Sequence, residues 1–295
     1  MTVLSVVKPD RLYIVSDGPR KEQGVEEMGL VEDSRLAATQ VSWNCEIVKR
    51  FYDFNVGGPK AGFEGISWFF EHEEQGIVLE DDNIPAVSFF EFCDQLLELH
   101  KHNDNIGCIT GNNFQRKCIG DHSYYFSKYN HCWGWASWRR SWSGCTLTPT
   151  DWWHCKNTTG WNDWLCDKVE RRYWERIFDS LASGKKIHWD YAWTLHLFKS
   201  RRLTATPNSN LVSNIGFDIW AQNTKDSNSP LANIPANHEF IVTSHPEHVS
   251  LHIAADRYVF DNVFGGKWMR FPYSWLRLPR RAGGFVYRRL KRSFA

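Results

Sequence analysis

The chain contains no Cys-x-x-Cys pair among its eight cysteines, so little supports a zinc-ribbon or thioredoxin-like framework. It also contains no apolar run near the ~18–20 residues that a membrane-crossing helix requires. Charge of either sign is nearly balanced: the formal net charge is +1 over 295 residues, which gives no bulk attraction to nucleic acid. Internal repeats and low-complexity blocks are missing. No secretory signal is read, so the expectation is a reducing, cytosolic setting in which several cysteines, those inside apolar patterns, act as small buried apolar residues.

Aromatic residues are plentiful. There are 16 Trp, and aromatics make up 15% of the chain; 42% of residues are hydrophobic and 23% charged, the balance of a folded globular protein. The length suits one large α/β domain or two small ones. Short apolar runs at 11–16, 45–51, 77–79, 106–110, 124–126 and 203–206 read as strands. Helices are expected at 32–41, from the loop at 53–61 through Phe70, at about 84–102, at 163–183 and at 190–200. Alternation at such intervals argues for a parallel, doubly wound sheet.

The stretch that organises the rest is Gly76-Ile77-Val78-Leu79-Glu80-Asp81-Asp82. An apolar strand ends in three consecutive carboxylates, which repel one another unless something offsets them. A hard divalent cation shared with substrate phosphates does this. Ligand crevices in open α/β sheets lie beyond the carboxyl ends of strands, where these acids fall. The alternative is a solvated acidic turn, with Asp81, Asp82 and Asn83 as cap residues for the next helix.

This run, followed by Pro85, Ser88, Phe89 and Phe90, resembles the acidic motif of nucleotide-sugar glycosyltransferases with the A-type fold. It is most similar to the Glu-Asp-Asp form of the N-acetylglucosaminyltransferase I type and to bacterial glycosyltransferase family 2-like proteins. The resemblance covers roughly residues 8–264. It implies a doubly wound, mostly parallel sheet flanked by helices, with a catalytic domain at 1–266 and a basic aromatic tail at 267–295. The family's opening strand has no counterpart before 11–16, which would leave a sheet position exposed and remove part of the nucleotide pocket. It further implies Mn²⁺ or Mg²⁺ at Asp82, the donor's ribose at Asp81 and the donor sugar at Glu80. The donor is expected to be a UDP-sugar and the acceptor a hydroxyl of a glycan or glycolipid.

Other segments extend the resemblance. Asp17 ends the first visible strand and is assigned to the nucleotide; an Asp-Gly turn explains it equally simply. Asn55, Gly57 and Lys60 open a helix near the donor, where glycine and a helix N-terminus favour phosphate. Trp133-Gly134-Trp135 resembles a segment beside the donor sugar, with Trp135 as the ring contact; core packing is the alternative. Trp189-Asp190 resembles the pair whose carboxylate is the catalytic base, and an inverting transfer needs such a base for the acceptor hydroxyl. A helix cap explains Asp190 too, and Asp163 is a rival base. The polar loop at 210–217 resembles one that closes on donor and acceptor. In bacterial relatives a His often follows it, where this chain has Asn223.

From Lys267 onward the chain carries nine Lys or Arg and no Asp or Glu, interleaved with Trp268, Phe271, Tyr273, Trp275, Phe285 and Tyr287. That pattern suits an anionic membrane surface, including the inner face of a cell membrane. A solvated tail folded on the domain is the second reading, and nucleic acid the last. Two rival functions keep the acidic site. One is a non-catalytic nucleotide-sugar-binding protein. The other is a metal-dependent phosphoester hydrolase, for which no second acid cluster is visible.

Overall fold

Ile106-Gly107-Cys108-Ile109-Thr110 has an apolar residue at nearly every position, and it forms a strand buried along its whole length. The computed structural model describes residues 3–217, 226 and 229–277. Its strands are β1 (Arg11–Ser16), β2 (Glu46–Phe51), β3 (Gln75–Val78), β4 (Asn83–Pro85), β5 (Ile106–Thr110), β6 (Tyr124–Ser127), β7 (Trp135–Trp138), β8 (Leu203–Pro207) and β9 (Val212–Asn214). The central sheet has five strands in the order β3-β7-β5-β8-β6. β5 and β8 are parallel, while β7 runs antiparallel between β3 and β5, and β6 runs antiparallel to β8. β1 and β2 form a separate parallel pair, and β4 and β9 a short antiparallel ribbon.

The architecture is therefore mixed α/β, with a central sheet flanked by helices. The doubly wound, mostly parallel arrangement expected from sequence needs correction: only one neighbouring pair in the central sheet is parallel. The cause is β7. Residues 131–140 read as a glycine-centred turn into a helix, but Trp135-Ala136-Ser137-Trp138 is a fully buried strand, followed by only one helical turn at Arg139–Trp142. Its side chains alternate across the sheet, as strand geometry requires. Ala136 and Trp138 enter the core beneath the Val87–Leu99 helix, while Trp135 enters the aromatic core on the other face.

The expected helix at 163–183 is also divided. A short helix spans Thr159–Trp164, and a second spans Lys168–Ala182. Asp167 caps the second by accepting hydrogen bonds from the backbone N–H groups of Val169 and Glu170, at 2.8 and 3.2 Å. Apolar spacing continues across the break, which hides it in the sequence.

β1 pairs only with β2, and β3 only with β7, among the described residues. Both pack on the Gly58–His72 helix. Val15 of β1 lies against Gly65, Tyr13 meets Phe69 edge-on at 5.2 Å, and Phe69 also covers Gly76 of β3. The two sheets thus share a helix without pairing to each other. All eight cysteines are free, with Cys93 and Cys108 buried. Among the described residues no helix is long and apolar enough to cross a membrane.

Trp135 has no exposed surface and touches Trp142, Trp189 and Trp193, with ring centroids 5.6–6.1 Å away. Trp135→Ala should lower unfolding free energy by about 3–5 kcal/mol, as large core truncations do. Urea denaturation followed by circular dichroism checks this; a loss below ~1 kcal/mol would mean that the aromatic core is not cooperative with the sheet.

Candidate active site

β3 delivers the acidic motif to the sheet rim. The chain leaves the strand at Val78 and turns through Asp81 and Asp82 into β4. Asn83 closes the turn: its side-chain oxygen accepts from the Glu80 N–H at 3.2 Å, and its amide donates to Asp82 Oδ1 at 2.7 Å. Asn214 of β9 donates to the same Oδ1 at 3.1 Å, and the Ile215 N–H donates to the Asp82 carbonyl at 2.9 Å. The β4–β9 ribbon, which pairs Asn83 with Asn214, therefore fixes the Asp82 carboxylate. A Cβ on Gly216 would stand 2.0 Å from Asp82 Oδ2, so this carboxylate needs glycine beside it.

Asp190, far away in sequence, lies within electrostatic reach of Glu80. It lies in the first turn of the Trp189–Ser200 helix. Thr194 ties that turn down, donating to the Asp190 carbonyl at 2.8 Å and lying 2.8 Å from Asn130 Oδ1. Trp189 is wedged between Trp135 and Gly62. Cys132 lies in the field of both Asp190 and Glu80; burial, then those charges, pushes its thiol up.

Glu80 is pushed up to about 8, first by burial and then by the negative charges of Asp82, Asp190 and Asp81. Burial also raises Asp190, against a smaller opposing effect of His188. Asp82 is raised by burial and by Asp81, and held back by its two amide donors. Asp81 is exposed. None of these four carboxylates forms an ion pair among the described residues, whereas the buried Glu170 pairs with Lys128 at 2.9 Å. Uncompensated, half-buried carboxylates are the setting in which a bound cation lowers free energy.

The donor set fits a hard divalent cation at Asp82. Asp82 Oδ1 is held by two amides, while Oδ2 accepts no hydrogen bond from a described side chain. Among the described residues no three His, Cys, Asp or Glu side chains converge as a closed metal-binding group. The protein would supply few ligands and leave the remainder to phosphate and water, as Mg²⁺ sites commonly do.

Other predicted residues lie differently. Asp17 accepts four hydrogen bonds: from the N–H groups of Gly18 and Val56 at Oδ1, and from the Gly57 N–H and the Asn55 amide at Oδ2, all at 2.8–2.9 Å. It clamps the loop after β1 to the loop after β2, and a nucleotide contact would have to displace one of these bonds. Asn55 is committed to that clamp. Lys60 is exposed on the Gly58–His72 helix, 3.7 Å from Glu64. This loop approaches Asp190 through the Gly62–Trp189 contact.

Trp135 cannot contact a sugar, because it is wholly buried among other indoles. That expectation is corrected by the strand geometry of β7, which turns Trp135 into the core. Trp133 is half-buried and meets Phe114 and Phe217 edge-on. Gly134, at φ 76°, brings the backbone close to Leu79 and Val212. Asp163 is exposed on its short helix. His245 bonds to Tyr124, and His252 caps the Ile253–Asn262 helix, so both are structural. Asn223 lies outside the described residues. Asn214 and Gly216 escaped sequence reasoning as partners of Asp82, and the loop at 210–217 was the only signal for them. An open cleft of about 390 Å³ lies where β6 begins and β8 ends, lined by Asp121, His122 and Asn208 among others; it includes none of the predicted site residues.

No protein-family profile matches the chain, and no curated protein matches it.

A carboxylic acid raised by folding makes the folded state hold its proton where the unfolded state releases it. Rising pH therefore favours unfolding between 4.5 and about 8 for Glu80. The melting temperature of the cation-free protein should fall across that window, and Glu80→Gln should flatten the fall. Calorimetric scans of both proteins from acid to mildly alkaline pH check this; identical slopes would remove Glu80 from the cluster.

Proposed function

We propose that the chain is a nucleotide-sugar-dependent glycosyltransferase. It moves a sugar from a nucleoside-diphosphate donor, with UDP as the first candidate, to a hydroxyl of a glycan or glycolipid acceptor. The observation that carries this reading is Glu80, a half-buried carboxylate within the field of Asp82 on one side and of Asp190 on the other, with Asp82 oriented by the Asn83 and Asn214 amides.

The chemistry divides among these residues. Asp82, oriented by Asn83 and Asn214, would hold Mn²⁺ or Mg²⁺ against the donor diphosphate. When bound, that ion would offset charge on the leaving nucleoside diphosphate. Asp81, exposed at the turn, faces solvent where a ribose could enter. Glu80 lies between Asp82 and Asp190 in electrostatic reach and would bond a donor-sugar hydroxyl. Asp190, made more basic by burial, takes the proton of the acceptor hydroxyl. As that oxygen attacks the anomeric carbon, the new C–O bond forms and the bond to the diphosphate oxygen breaks. Attack from the face opposite the leaving group inverts the configuration.

Two features favour the non-catalytic nucleotide-sugar-binding alternative. The edges of β1 and β3 are unpaired among the described residues, and Asp17 is spent on loop bonds. The phosphoester hydrolase has less support, since no second metal-binding acid cluster exists among the described residues. A thermal-shift screen of nucleotide sugars with and without Mn²⁺, followed by product analysis with glycan acceptors, separates the three. Release of nucleotide without an acceptor would point to hydrolysis, and binding without turnover to the binding protein.

Asp190→Asn should leave donor binding unchanged and lower transfer by about 10²–10⁴-fold, the range for losing a general base. Asp82→Asn should instead abolish the Mn²⁺-dependent part of donor affinity in titration calorimetry. An active Asp190→Asn enzyme would remove Asp190 as the base, and unchanged Mn²⁺ dependence in Asp82→Asn would remove the metal assignment.

A further inference from the structure

The 3-10 turns Gly266–Met269 and Tyr273–Arg277 come last among the described residues. They and the residues between them hold Trp268, Phe271, Tyr273 and Trp275, which expose 46%, 76%, 38% and 67% of their surface. These rings do not reach the core. They meet each other edge-on, Trp268 with Tyr273 at 5.5 Å and Phe271 with Trp275 at 6.1 Å.

The segment is nevertheless anchored from beneath. Gly266 is buried against Phe260, and Met269 joins the neighbouring core. Arg270 bonds to Asp167 at 2.7 Å and to Asp261 at 2.9 Å. Those contacts fix the turns with their aromatics outward, and they neutralise the adjacent acids. Lys267 remains exposed, 5.3 Å above the Tyr273 ring. Nine Lys or Arg and no acid occur from Lys267 to the last residue of the sequence.

We propose that this surface docks on an anionic lipid bilayer. Trp268, Phe271 and Trp275 enter the boundary between headgroups and acyl chains, where amphipathic rings are favoured. Lys267 carries exposed positive charge beside the rings, and six of the nine basic residues follow in the sequence outside the described residues; such basic sequence favours anionic lipid. Other occupants fit less well. Single-stranded nucleic acid stacks its bases on aromatic faces, but the two ring pairs here cross at 76° and 85° and offer no row of parallel faces for successive bases. A second copy would set one basic stretch of sequence against another, which like charge disfavours. The docking does not depend on the transferase reading; it would hold a catalytic or a merely binding protein at a membrane.

The test is co-sedimentation of the full chain with phosphatidylcholine vesicles, with and without phosphatidylglycerol, at low and high salt. The expected result is pelleting with the anionic vesicles that weakens as salt rises. Phe271→Ser/Trp275→Ser should lose about tenfold or more in vesicle affinity, since binding scales with buried apolar area. Both positions are exposed, so the variant should keep the wild-type melting curve. Three results would overturn the proposal: wild type left in the supernatant with both lipids; equal pelleting of wild type and variant; or single-stranded DNA binding, or dimerisation by light scattering, that the same variant abolishes while vesicle binding is unchanged. Because no donor or acceptor is present, failure here leaves the transferase reading untouched.

Discussion

The site rests on carboxylates that folding makes costly to ionise: burial and neighbouring acids push Glu80 up to about 8, and Asp82 and Asp190 are raised as well. Elsewhere the chain treats buried charge conventionally. Lys128 and Glu170 are both buried and paired, the Tyr129 hydroxyl donates to Glu170, and Asp256 accepts from Ser127 Oγ at 2.6 Å and from the Lys128 N–H at 3.2 Å. Breaking such a pair leaves an uncompensated charge and costs several kcal/mol, roughly 3–5. At the rim of the central sheet Glu80, Asp82 and Asp190 have no such ion pair among the described residues; Asn83 and Asn214 orient Asp82, and His188 opposes the rise of Asp190. Amides orient a carboxylate without cancelling its charge. That contrast within one molecule, more than the acidic residues taken alone, is what supports the proposal of a cationic ligand at the rim.

The aromatic content serves this arrangement as scaffold. Trp135, Trp142, Trp189 and Trp193 interlock between the central sheet and the Trp189–Ser200 helix. Indoles are large and have few rotamers, so a cluster of them fixes a helix start with little freedom. Asp190 follows Trp189 directly and inherits that rigidity. A sugar-stacking platform would need an open ring face, and β7 gives Trp135 none. Trp133, two residues earlier, keeps part of its surface because Gly134 reverses the chain before the strand begins.

Much of the strand pattern was legible, for a physical reason. β5, β6 and β8 are buried along their lengths and so read as short apolar runs, and the acids after β3 interrupt such a run abruptly. What was not legible is tertiary. The Asn214–Asp82 bond joins residues 132 apart, and nothing local to either predicts it. Asp17 reads as a free carboxylate at a strand end, and only the position of residues 55–57 converts it into a clamp. β7 was hidden because a Trp-rich segment suits a helix as well as a strand, and only its insertion between β3 and β5 decides. The capping Asp167 was masked by apolar spacing that continued on both sides of it.

Burial is also uneven in a way that bears on how a donor would enter. β1 and β2 contain no fully buried residue, and neither does the Gly24–Thr39 helix beside them. Arg35 holds that helix to both strand ends, donating to Ser16 Oγ, the Asp17 carbonyl and the Tyr52 carbonyl. By contrast, Asp190 stands on a helix with six buried residues, and the acidic turn joins the half-buried β3 to β4, where Asn83 and Pro85 are buried. Segments with few buried apolar contacts open at lower free energy than the core. The loop at 55–60 belongs to the weaker part, yet it is carried on the Gly58–His72 helix, whose Gly62 touches Trp189. Opening of β1 and β2 would therefore free the loop and its clamp at Asp17 before the helix that carries Asp190 gives way. Under the proposed reading, the side assigned to the nucleotide is the part able to adjust.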